Sequence, residues 1–341
     1  MKKILYLVQR FRPDREATSK EVSQLYQHFP GSFIHDLHLD GYFRWSYNGS
    51  LLSYHFAYYL LAFFPLYCYS RGKILHVYTS LCDRPYLPFL PKKNLILTST
   101  NYFSKERIKK KMTHLLAAQK VVVEADIQKK ELLALDFPPE KIEVIYPPVD
   151  LIKFSYREAL GDFTILNASC PGKIKDIKKR GILLLLGIEP LLTEMETKIK
   201  LLWREGEFSL FEQLLKDQHF HNLIIENRIH ANMNEQYAQV HCTVIPYLQL
   251  DEYLKLIPNS AIESLAAGKP LLVSSTTGIA EIVAKNKCGV VFDPNPQSLL
   301  KAISELKKNY SKYQKKCRMT AEQYFDQEKF IQKYQQLYQT I

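Results

Sequence analysis

The chain has 341 residues, enough for two domains that each bury a core of their own. Lysine and arginine total 46 against 35 aspartates and glutamates, so the formal charge is +11, which suits a polyanionic partner, an anionic membrane surface or a phosphorylated ligand. A solvated basic surface would explain that charge equally well. The six cysteines show no paired C-x-x-C spacing, which argues against a zinc site or a disulfide framework and favours a reducing cytoplasm.

The first residues predict a buried strand and not a signal peptide, because the apolar run 4–8 is short and no small-residue cleavage site follows it. Residues 51–70 form a longer uncharged stretch. This stretch contains five tyrosines, His55 and Pro65, so we expect a buried or interfacial helix in preference to a membrane span.

Strands and helices are predicted to alternate along the chain. In the first half the predicted strands are 4–8, 33–37, 74–78, 95–98, 120–123 and 143–145, and the predicted helices are 16–28, 105–116 and 126–135. After a join near 147–154, strands are predicted at 163–168, 198–203, 223–226, 243–246, 271–274 and 290–292, with a helix at 182–192 and others between. Such alternation predicts two α/β domains, each with a parallel sheet covered on both faces.

The end of the chain predicts an amphipathic helix. Its apolar side chains at positions 330, 331, 334, 337, 338 and 341 fall on one helical face. Asp326 is a candidate N-cap, with Phe325 and Phe330 placed as a hydrophobic staple. This helix should therefore dock on one of the two domains.

Three segments resemble the retaining glycosyltransferases of family 4. The segment EKIEVIYPPVDLIKF (140–154) is similar to their interdomain segment, and YFDQEKFIQKYQQLY (324–338) to their closing helix. NSAIESLAAGKPLLVSS, followed by GIAEIV, is similar to their donor-site signature (259–283). The resemblance covers almost the whole chain in order. It implies the α/β fold called GT-B, in which two Rossmann-like, doubly wound parallel-sheet domains face a cleft.

The resemblance also implies domain limits. Residues 1–154 would form the acceptor-side domain, with the closing helix 326–341 packed back on it. Residues 155–325 would form the domain that binds the sugar nucleotide.

The donor-site segment has a physical explanation of its own. Pro258 favours a helix start, Asn259 and Ser260 can cap it, and Gly268 suits the position after its end. The free amides of such a helix start attract phosphate oxygens. Glu263, one turn in, could accept the hydroxyls of a ribose, which is the role that the resemblance implies. The structural alternative is that Glu263 caps a loop or pairs with a lysine.

A basic stretch, NASCPGKIKDIKKRGI (167–182), follows the first predicted strand of the second domain. We expect its lysines and arginine to lie on a loop at the carboxyl edge of the sheet. Lys179 and Arg180 precede Gly181 as in a family motif, so we assign them as catalytic cations that stabilise a departing diphosphate. Lys173 is a further donor-binding candidate, and the base would lie near Asn227 and Arg228. A solvated basic loop is the alternative.

Several positions depart from the family pattern. Cys170 stands where an arginine is common, and Lys255 stands eight residues before Glu263, where a second glutamate is usual. Thr100 and Asn101 occupy the place of a frequent histidine. The usual glycine pair after the first strand is replaced around 15–18.

The acceptor side is assigned to the loops of the first domain. Its candidate residues are Arg12, Glu16, Thr18, Asn101 and Tyr102. The aromatic stretch 51–70 and the basic stretch 105–111 suggest a lipid-linked or envelope glycan as acceptor, with peripheral contact to an anionic membrane.

Taken with the resemblance, the sequence predicts a cytoplasmic glycosyltransferase that moves a sugar from a UDP- or GDP-linked donor to a glycan or lipid-linked acceptor. The resemblance implies retention of anomeric configuration and no metal or other cofactor, and no nucleic-acid partner is expected. One alternative is a catalytically silent GT-B module that binds nucleotide or a partner protein, which Lys255 and Cys170 would explain. The other is a sugar-nucleotide epimerase, which needs acidic and histidine groups that are sparse here.

Overall fold

The computed structural model describes residues 2–8, 11–13, 16–36, 70–79, 90–169, 171, 174–203, 208–216, 219–250, 252 and 254–341. The chain folds into two units. The first comprises Met1–Pro147, Asp251–Leu256 and Glu328–Ile341. The second comprises Pro148–Leu250 and Ile257–Gln327. Neither unit is therefore a single continuous stretch of the chain.

A parallel six-stranded sheet lies at the centre of the first unit. Its strands are β1 (Ile4–Val8), β2 (Phe33–Asp36), β3 (Ile74–Thr79), β4 (Leu95–Ser99), β5 (Lys120–Val123) and β6 (Ile142–Val144). They lie in the order β2-β1-β3-β4-β5-β6, and all their pairings are parallel. The helices described next to them are α1 (Ala17–His28), α2 (Lys105–Ala117) and α3 (Asp126–Leu133).

Both faces of the first sheet are covered. Because side chains alternate across each strand, neighbouring residues of β1 enter different apolar clusters. Leu5 and Leu7 of β1 belong to an apolar cluster with residues of α2 and α3. Ile4 and Tyr6 of the same strand belong to a second cluster, with Val22 of α1 and residues of the last helix. The continuous apolar runs of these strands follow from this double cover.

The second unit is built on another parallel six-stranded sheet. Its strands are β7 (Phe163–Ala168), β8 (Thr197–Leu202), β9 (Leu223–Glu226), β10 (Cys242–Ile245), β11 (Leu271–Ser274) and β12 (Gly289–Phe292). Their order is β12-β11-β10-β7-β8-β9. The order therefore reverses between β7 and β10, which pair through Cys242 with Ile165 and Thr243 with Leu166. In doubly wound sheets, ligands bind outside the carboxyl ends of the strands at such a switch point.

In the described part of the second unit the helices are, in chain order, α4 (Ile174–Lys179), α5 (Ile182–Ile188), α6 (Ser209–Leu215), α7 (Met233–Ala238), α8 (Asn259–Ala266), α9 (Ala280–Asn286), α10 (Pro296–Lys308) and α11 (Tyr310–Tyr324). Among them α11 packs on α8. Arg318 of α11 donates to the carbonyl oxygens of Ala266 and Phe154, at 2.9 and 2.8 Å. A cation at the end of α8 thus satisfies a carbonyl that the helix leaves open.

The last helix, α12 (Gln327–Gln339), packs on the first sheet. Phe330, Ile331 and Leu337 lie in the apolar cluster of β1, β3 and α1. The same face carries two tyrosines that enter a buried hydrogen-bond network. His76 of β3 lies 2.7 Å from the hydroxyl of Tyr338 through Nδ1 and 2.7 Å from Thr98 Oγ1 through Nε2.

The predicted strands are confirmed. The bounds of β1, β5, β7, β9 and β11 agree with the prediction to the residue. Of the other described strands, β2, β3, β4 and β12 differ from it by one residue at one end, and β6, β8 and β10 begin and end one residue earlier than predicted. The basic stretch 167–182 was predicted to be a loop, but its residues Ile174–Lys179 form the helix α4. The predicted helix 182–192 ends at Ile188, and the chain continues to Leu192 as a 3-10 turn that contains Pro190.

No helix in the described part of the chain is long and apolar enough to cross a membrane. Residues 51–69, which carry most of the expected aromatic helix, lie outside the described residues.

The buried His76 predicts a defined acid sensitivity of the first unit. Burial lowers the pKa of His76 to about 3, whereas an unfolded histidine titrates near 6.5. As the pH falls below 6.5, the unfolded chain binds a proton that the folded state rejects, so the free energy of unfolding falls by up to about 1.4 kcal/mol per pH unit. Urea unfolding between pH 6.5 and 5 should show this slope in wild type and lose it in His76→Gln.

A variant of the exposed His28, His28→Gln, serves as the control and should keep the wild-type slope. Equal slopes in wild type and His76→Gln would mean that His76 does not stay neutral in the folded protein.

Candidate functional site

The turn between α4 and α5 lies at the switch point of the second sheet. Pro246 directly follows β10, and a Cβ added to Gly181 would lie 1.7 Å from the carbonyl oxygen of Pro246. Gly181 also has a φ of +73°, a conformation that favours glycine. The N–H of Leu248 donates to the carbonyl oxygen of Lys179 at 2.9 Å. The backbone after β10 therefore holds the turn in place, which only a glycine at position 181 permits.

Arg180 lies in this turn and contacts the neighbouring strand end. Its Nη1 donates to Ser169 Oγ at 3.2 Å, and Ser169 directly follows β7. Its Nε is buried and has no hydrogen-bond partner among the described residues. An unpaired guanidinium N–H in such a place costs free energy unless a ligand or solvent accepts from it. The turn can thus hold an anion.

The helix α8 begins one residue earlier than predicted, at Asn259. Pro258 holds the N-cap position, so the prediction that Asn259 or Ser260 is the N-cap residue is wrong. A proline is suited to this position because its fixed φ, here −65°, leads directly into a helix. Asn259 and Ser260 are therefore the first two helical residues, in the turn whose N–H groups have no intrahelical partner.

The end of α8 agrees with the prediction. Gly268 has a φ of +71° and donates its N–H to the carbonyl oxygen of Leu265 at 2.9 Å. The N–H of Lys269 donates to the carbonyl oxygen of Ser264 at 2.8 Å. These two bonds form a Schellman motif, which ends the helix at Ala266 with Ala267 as its C-cap.

Glu263 lies one turn into α8 and is half-buried. Its Oε2 accepts a hydrogen bond from the hydroxyl of Tyr237, at 3.1 Å, and that hydroxyl also lies 3.1 Å from the carbonyl oxygen of Ser260. Tyr237 itself is fully buried on α7 and packs edge-on against Phe154, with 5.9 Å between the ring centroids. A rigid aromatic residue therefore orients the carboxylate of Glu263.

Asn227 and Arg228 follow β9 directly and are exposed. Arg228 is held by Glu226, with 2.9 Å between Nη2 and Oε2. Lys200 of β8, which is buried, lies 2.7 Å from the other oxygen of Glu226. Burial alone would raise the pKa of Glu226, but the hydrogen bonds from Lys200 and Arg228 outweigh it and lower that pKa. An ionised carboxylate thus fixes the start of this loop.

In the first unit, three acceptor-side candidates lie around the start of α1. The N–H of Glu16 donates to the carbonyl oxygen of Arg12 at 2.8 Å, and the N–H of Arg12 donates to Ser19 Oγ at 2.9 Å. Thr18 Oγ1 lies 3.3 Å from Thr100 Oγ1, just beyond the end of β4. The three residues are thus brought together at the carboxyl edge of the first sheet.

The other two acceptor-side candidates contact a segment of the chain itself. Asn101 forms an antiparallel bridge with Lys255, and the N–H of Tyr102 donates to the carbonyl oxygen of Leu254 at 3.3 Å. The hydroxyl of Tyr102 donates to Glu131 at 3.0 Å. Burial and the carboxylate of Glu131 raise the pKa of this tyrosine to about 12.

Two positions singled out in the basic stretch lie outside the described residues, namely Cys170 and Lys173. So does Arg15, one of the positions that replace the glycine pair.

Comparison with known proteins agrees with this architecture. Residues 207–324, about a third of the chain, match the family model described as "Glycosyl transferases group 1". Comparison with curated protein sequences gives no match.

Among solved structures, sucrose-phosphate synthase from Thermosynechococcus elongatus superposes with a TM-score of 0.76 at 14% identity, covering 99% of this chain and 98% of that one. Anabaena HepE in complex with UDP gives 0.73 at 14% identity, over 99% of this chain and 100% of that one. WaaG, a glycosyltransferase involved in lipopolysaccharide biosynthesis, gives 0.65 at 11% identity, over 94% and 95%.

The chain has the GT-B fold. Identities of this size establish the architecture alone, and the two parallel sheets described above are its two Rossmann-like halves. The prediction of fold class from the sequence is confirmed.

Two residues that support the site in this GT-B chain were missed by the sequence analysis. Tyr237, which orients Glu263, lies on a short helix whose sequence, MNEQYA, shows no pattern that separates a packing tyrosine from a binding one. Pro246, whose carbonyl oxygen approaches Gly181, acts through its backbone, which no side-chain pattern reveals. The only available signal was Gly181 itself, since a glycine after two cations suggests a special backbone position.

Substitution of Gly181 should be strongly destabilising. In Gly181→Ala, the new Cβ would collide with Pro246 and the residue would keep an unfavourable φ, so we expect a loss of about 2–5 kcal/mol in the free energy of unfolding of the second unit. Urea unfolding measures this loss.

Gly187 offers a matched control within α5, because an added Cβ there meets no atom within 4 Å. Gly187→Ala should be neutral or stabilising by up to about 1 kcal/mol. Wild-type stability in Gly181→Ala would show that the turn can move away from Pro246.

Proposed function

We propose that this protein is a glycosyltransferase that uses a nucleotide-diphosphate sugar, UDP- or GDP-linked, as its donor. The observation that carries the proposal is the turn Lys179–Gly181, which is held at the switch point of the second sheet and buries an Arg180 Nε that has no hydrogen-bond partner in the described part of the chain. A fixed cation at this place suits the diphosphate of a nucleotide sugar.

The chemistry of transfer needs such a cation. When the bond between the sugar and the diphosphate breaks, negative charge develops on the departing phosphate oxygens. A guanidinium that is already oriented by Ser169 stabilises this charge without having to reorganise. Lys179, half-buried in the same turn, adds a second positive charge. In this proposal Lys179 and Arg180 act on the leaving group, and Lys173 is a further candidate.

The nucleoside would be held by α8 and the loop after β9. Glu263, oriented by Tyr237, can accept hydrogen bonds from ribose hydroxyls, because a carboxylate offers about four acceptor sites. The start of α8 at Asn259 and Ser260 supplies N–H groups for phosphate oxygens. The base would lie against the exposed loop Asn227–Ile229. In support of a nucleotide-sugar donor, HepE was solved with UDP and with UDP-glucose.

The proposed acceptor is a glycan or a lipid-linked glycan. The sugar would be transferred to it with retention of the anomeric configuration. The involvement of WaaG in lipopolysaccharide biosynthesis is consistent with an envelope glycan. An anionic membrane surface is a proposed partner of the exposed lysines on α2, which are Lys105, Lys109 and Lys110. Sedimentation with anionic but not with neutral vesicles would test this contact, since the attraction depends on surface charge.

A catalytically silent GT-B module that binds nucleotide or a partner protein is the alternative. It is favoured by Lys255, because this residue occupies a position where the resemblance expects an acidic one. The two proposals differ in one respect, namely whether the bound donor is turned over. A sugar-nucleotide epimerase is a weaker alternative, distinguished by formation of an epimeric sugar nucleotide without transfer.

Glu263 should control nucleotide affinity. Glu263→Ala removes charge-assisted hydrogen bonds to the ribose, so binding of the nucleoside diphosphate should weaken by about 1.5–3 kcal/mol. Thermal-shift screening of UDP, GDP, ADP and CMP sugars identifies the ligand, because binding to the folded state raises its melting temperature. Calorimetry then compares wild type, Glu263→Ala and the control Glu212→Ala, which changes an exposed glutamate on α6. An unaltered dissociation constant in Glu263→Ala would exclude Glu263 from the site.

The cations of the turn should matter more for turnover than for binding. In the Lys179→Ala, Arg180→Ala double variant, kcat for nucleotide release should fall roughly a hundredfold or more, about 2.7 kcal/mol, with a smaller change in donor affinity. Lys178→Ala, on the exposed side of the same helix, is the matched control and should keep its activity. If wild type binds a donor tightly but releases no nucleotide with any acceptor extract, the silent-module alternative replaces this proposal.

A further inference from the structure

Lys255 is buried in the first unit between two glutamates. Its ammonium pairs with Glu21 of α1 and lies 3.4 Å from Oε2 of Glu124, which directly follows β5. The exposed fractions of the three side chains are only 12%, 3% and 1% respectively. Tyr78 of β3 donates to the other oxygen of Glu21 at 2.8 Å. Three ionisable side chains of opposite charge thus meet in the interior of the first unit.

The charges of this triad depend on one another. Burial lowers the pKa of Lys255, but the carboxylates of Glu124 and Glu21 outweigh that effect and raise it, so the ammonium stays charged. Burial and the neighbouring Glu21 raise the pKa of Glu124 well above its ordinary value. One carboxylate balances the ammonium, and the second carboxyl group retains its proton more readily. Removal of the lysine would leave an uncompensated carboxylate in the interior, which is costly.

The segment around Lys255 is also fixed along its backbone. Besides the bridge of Lys255 to Asn101 and the bond from Tyr102 to Leu254, Glu252 accepts a hydrogen bond from Ser104 Oγ at 2.7 Å. Glu252 also pairs with Arg107 of α2. These contacts tie Glu252, Leu254 and Lys255 to the residues around the start of α2, and the ion pairs of Lys255 add a further attachment through its side chain.

This segment leads directly into α8. Leu256, Ile257 and Pro258 separate Lys255 from the first residue of the helix, Asn259, and all three are buried. Ile257 is fully buried and Leu256 is 2% exposed, so the link has little freedom to move. Three buried residues thus join Lys255 to the start of the helix that carries Ser260 and Glu263.

We propose that Lys255 is a positioning residue for nucleotide binding, which acts by anchoring residues 254–258 through its ion pairs with Glu21 and Glu124. This inference rests on the proposed function for its effect on the donor, and on the geometry alone for the anchoring. A lysine at this position is then a working part of the protein, and Glu21 and Glu124 are its required partners. It is not the mark of a lost active site.

The test separates anchoring from stability. Lys255→Met leaves the carboxylates uncompensated and should lower the melting temperature by at least about 5 °C. The double variant Lys255→Met, Glu21→Gln removes the excess negative charge, while the new side-chain amide oxygen can still accept from Tyr78, so most of that loss should be recovered. Neither variant has the anchor. In both, hydrogen exchange of the amides at 254–262 should accelerate, and the dissociation constant of UDP or GDP, whichever wild type binds, should rise roughly tenfold or more.

The control Lys92→Met removes an exposed lysine of the same unit and should change none of these quantities. Wild-type exchange and wild-type nucleotide affinity in the double variant would overturn the proposal, because stability would then be the whole role of the triad. Fast exchange with unchanged affinity would confine Lys255 to anchoring and overturn its role in binding. If wild type binds no nucleotide, the proposed function fails, and the exchange rates still decide whether Lys255 anchors the segment.

Discussion

The close approach of Gly181 to the carbonyl oxygen of Pro246 is the constraint on which the candidate site depends. It occurs where the strand order of the second sheet reverses, so it joins the backbone after β10 to the turn between α4 and α5. Any side chain at position 181 would push the turn away from the strand ends, and Arg180 would lose its contact with Ser169. The absence of a Cβ at position 181 thus sets the distance between the cations and the edge of the sheet. That distance determines how strongly Lys179 and Arg180 can stabilise an anion there.

Much of the fold follows from the sequence because its strands are buried on both faces. A continuous apolar run such as Leu271–Val273 favours a covered strand, whereas a half-exposed strand would show alternation. The helix α4 was missed for a related reason. Its sequence, IKDIKK, is short and rich in lysine, so composition favoured a solvated loop, and the apolar cluster that covers Ile177 is formed by distant segments.

The site was less predictable, because its supporting contacts link residues far apart in sequence. Glu263 was identified from a local motif, but Tyr237, which orients it, comes from another helix. Lys255 clearly departs from the family pattern, but the sequence does not show the structural role of this lysine. Its partner Glu21 lies 234 positions away, and only the folded chain shows that one unusual lysine and two buried glutamates balance each other. A charge that is anomalous in the sequence is ordinary once its partners are known.

The path of the chain has a consequence for how the protein acquires its structure in the cell. The first unit needs α12, which supplies Phe330, Tyr334 and Leu337 to the face of β1 and β3, and nearly all of the second unit precedes α12 in the chain. During synthesis the part of this face that α12 covers stays open while the second unit is translated. The second unit needs nothing beyond Gln327 and can close first. The order of folding is therefore expected to run against the order of translation, which is the reverse of the usual course for a chain of two domains.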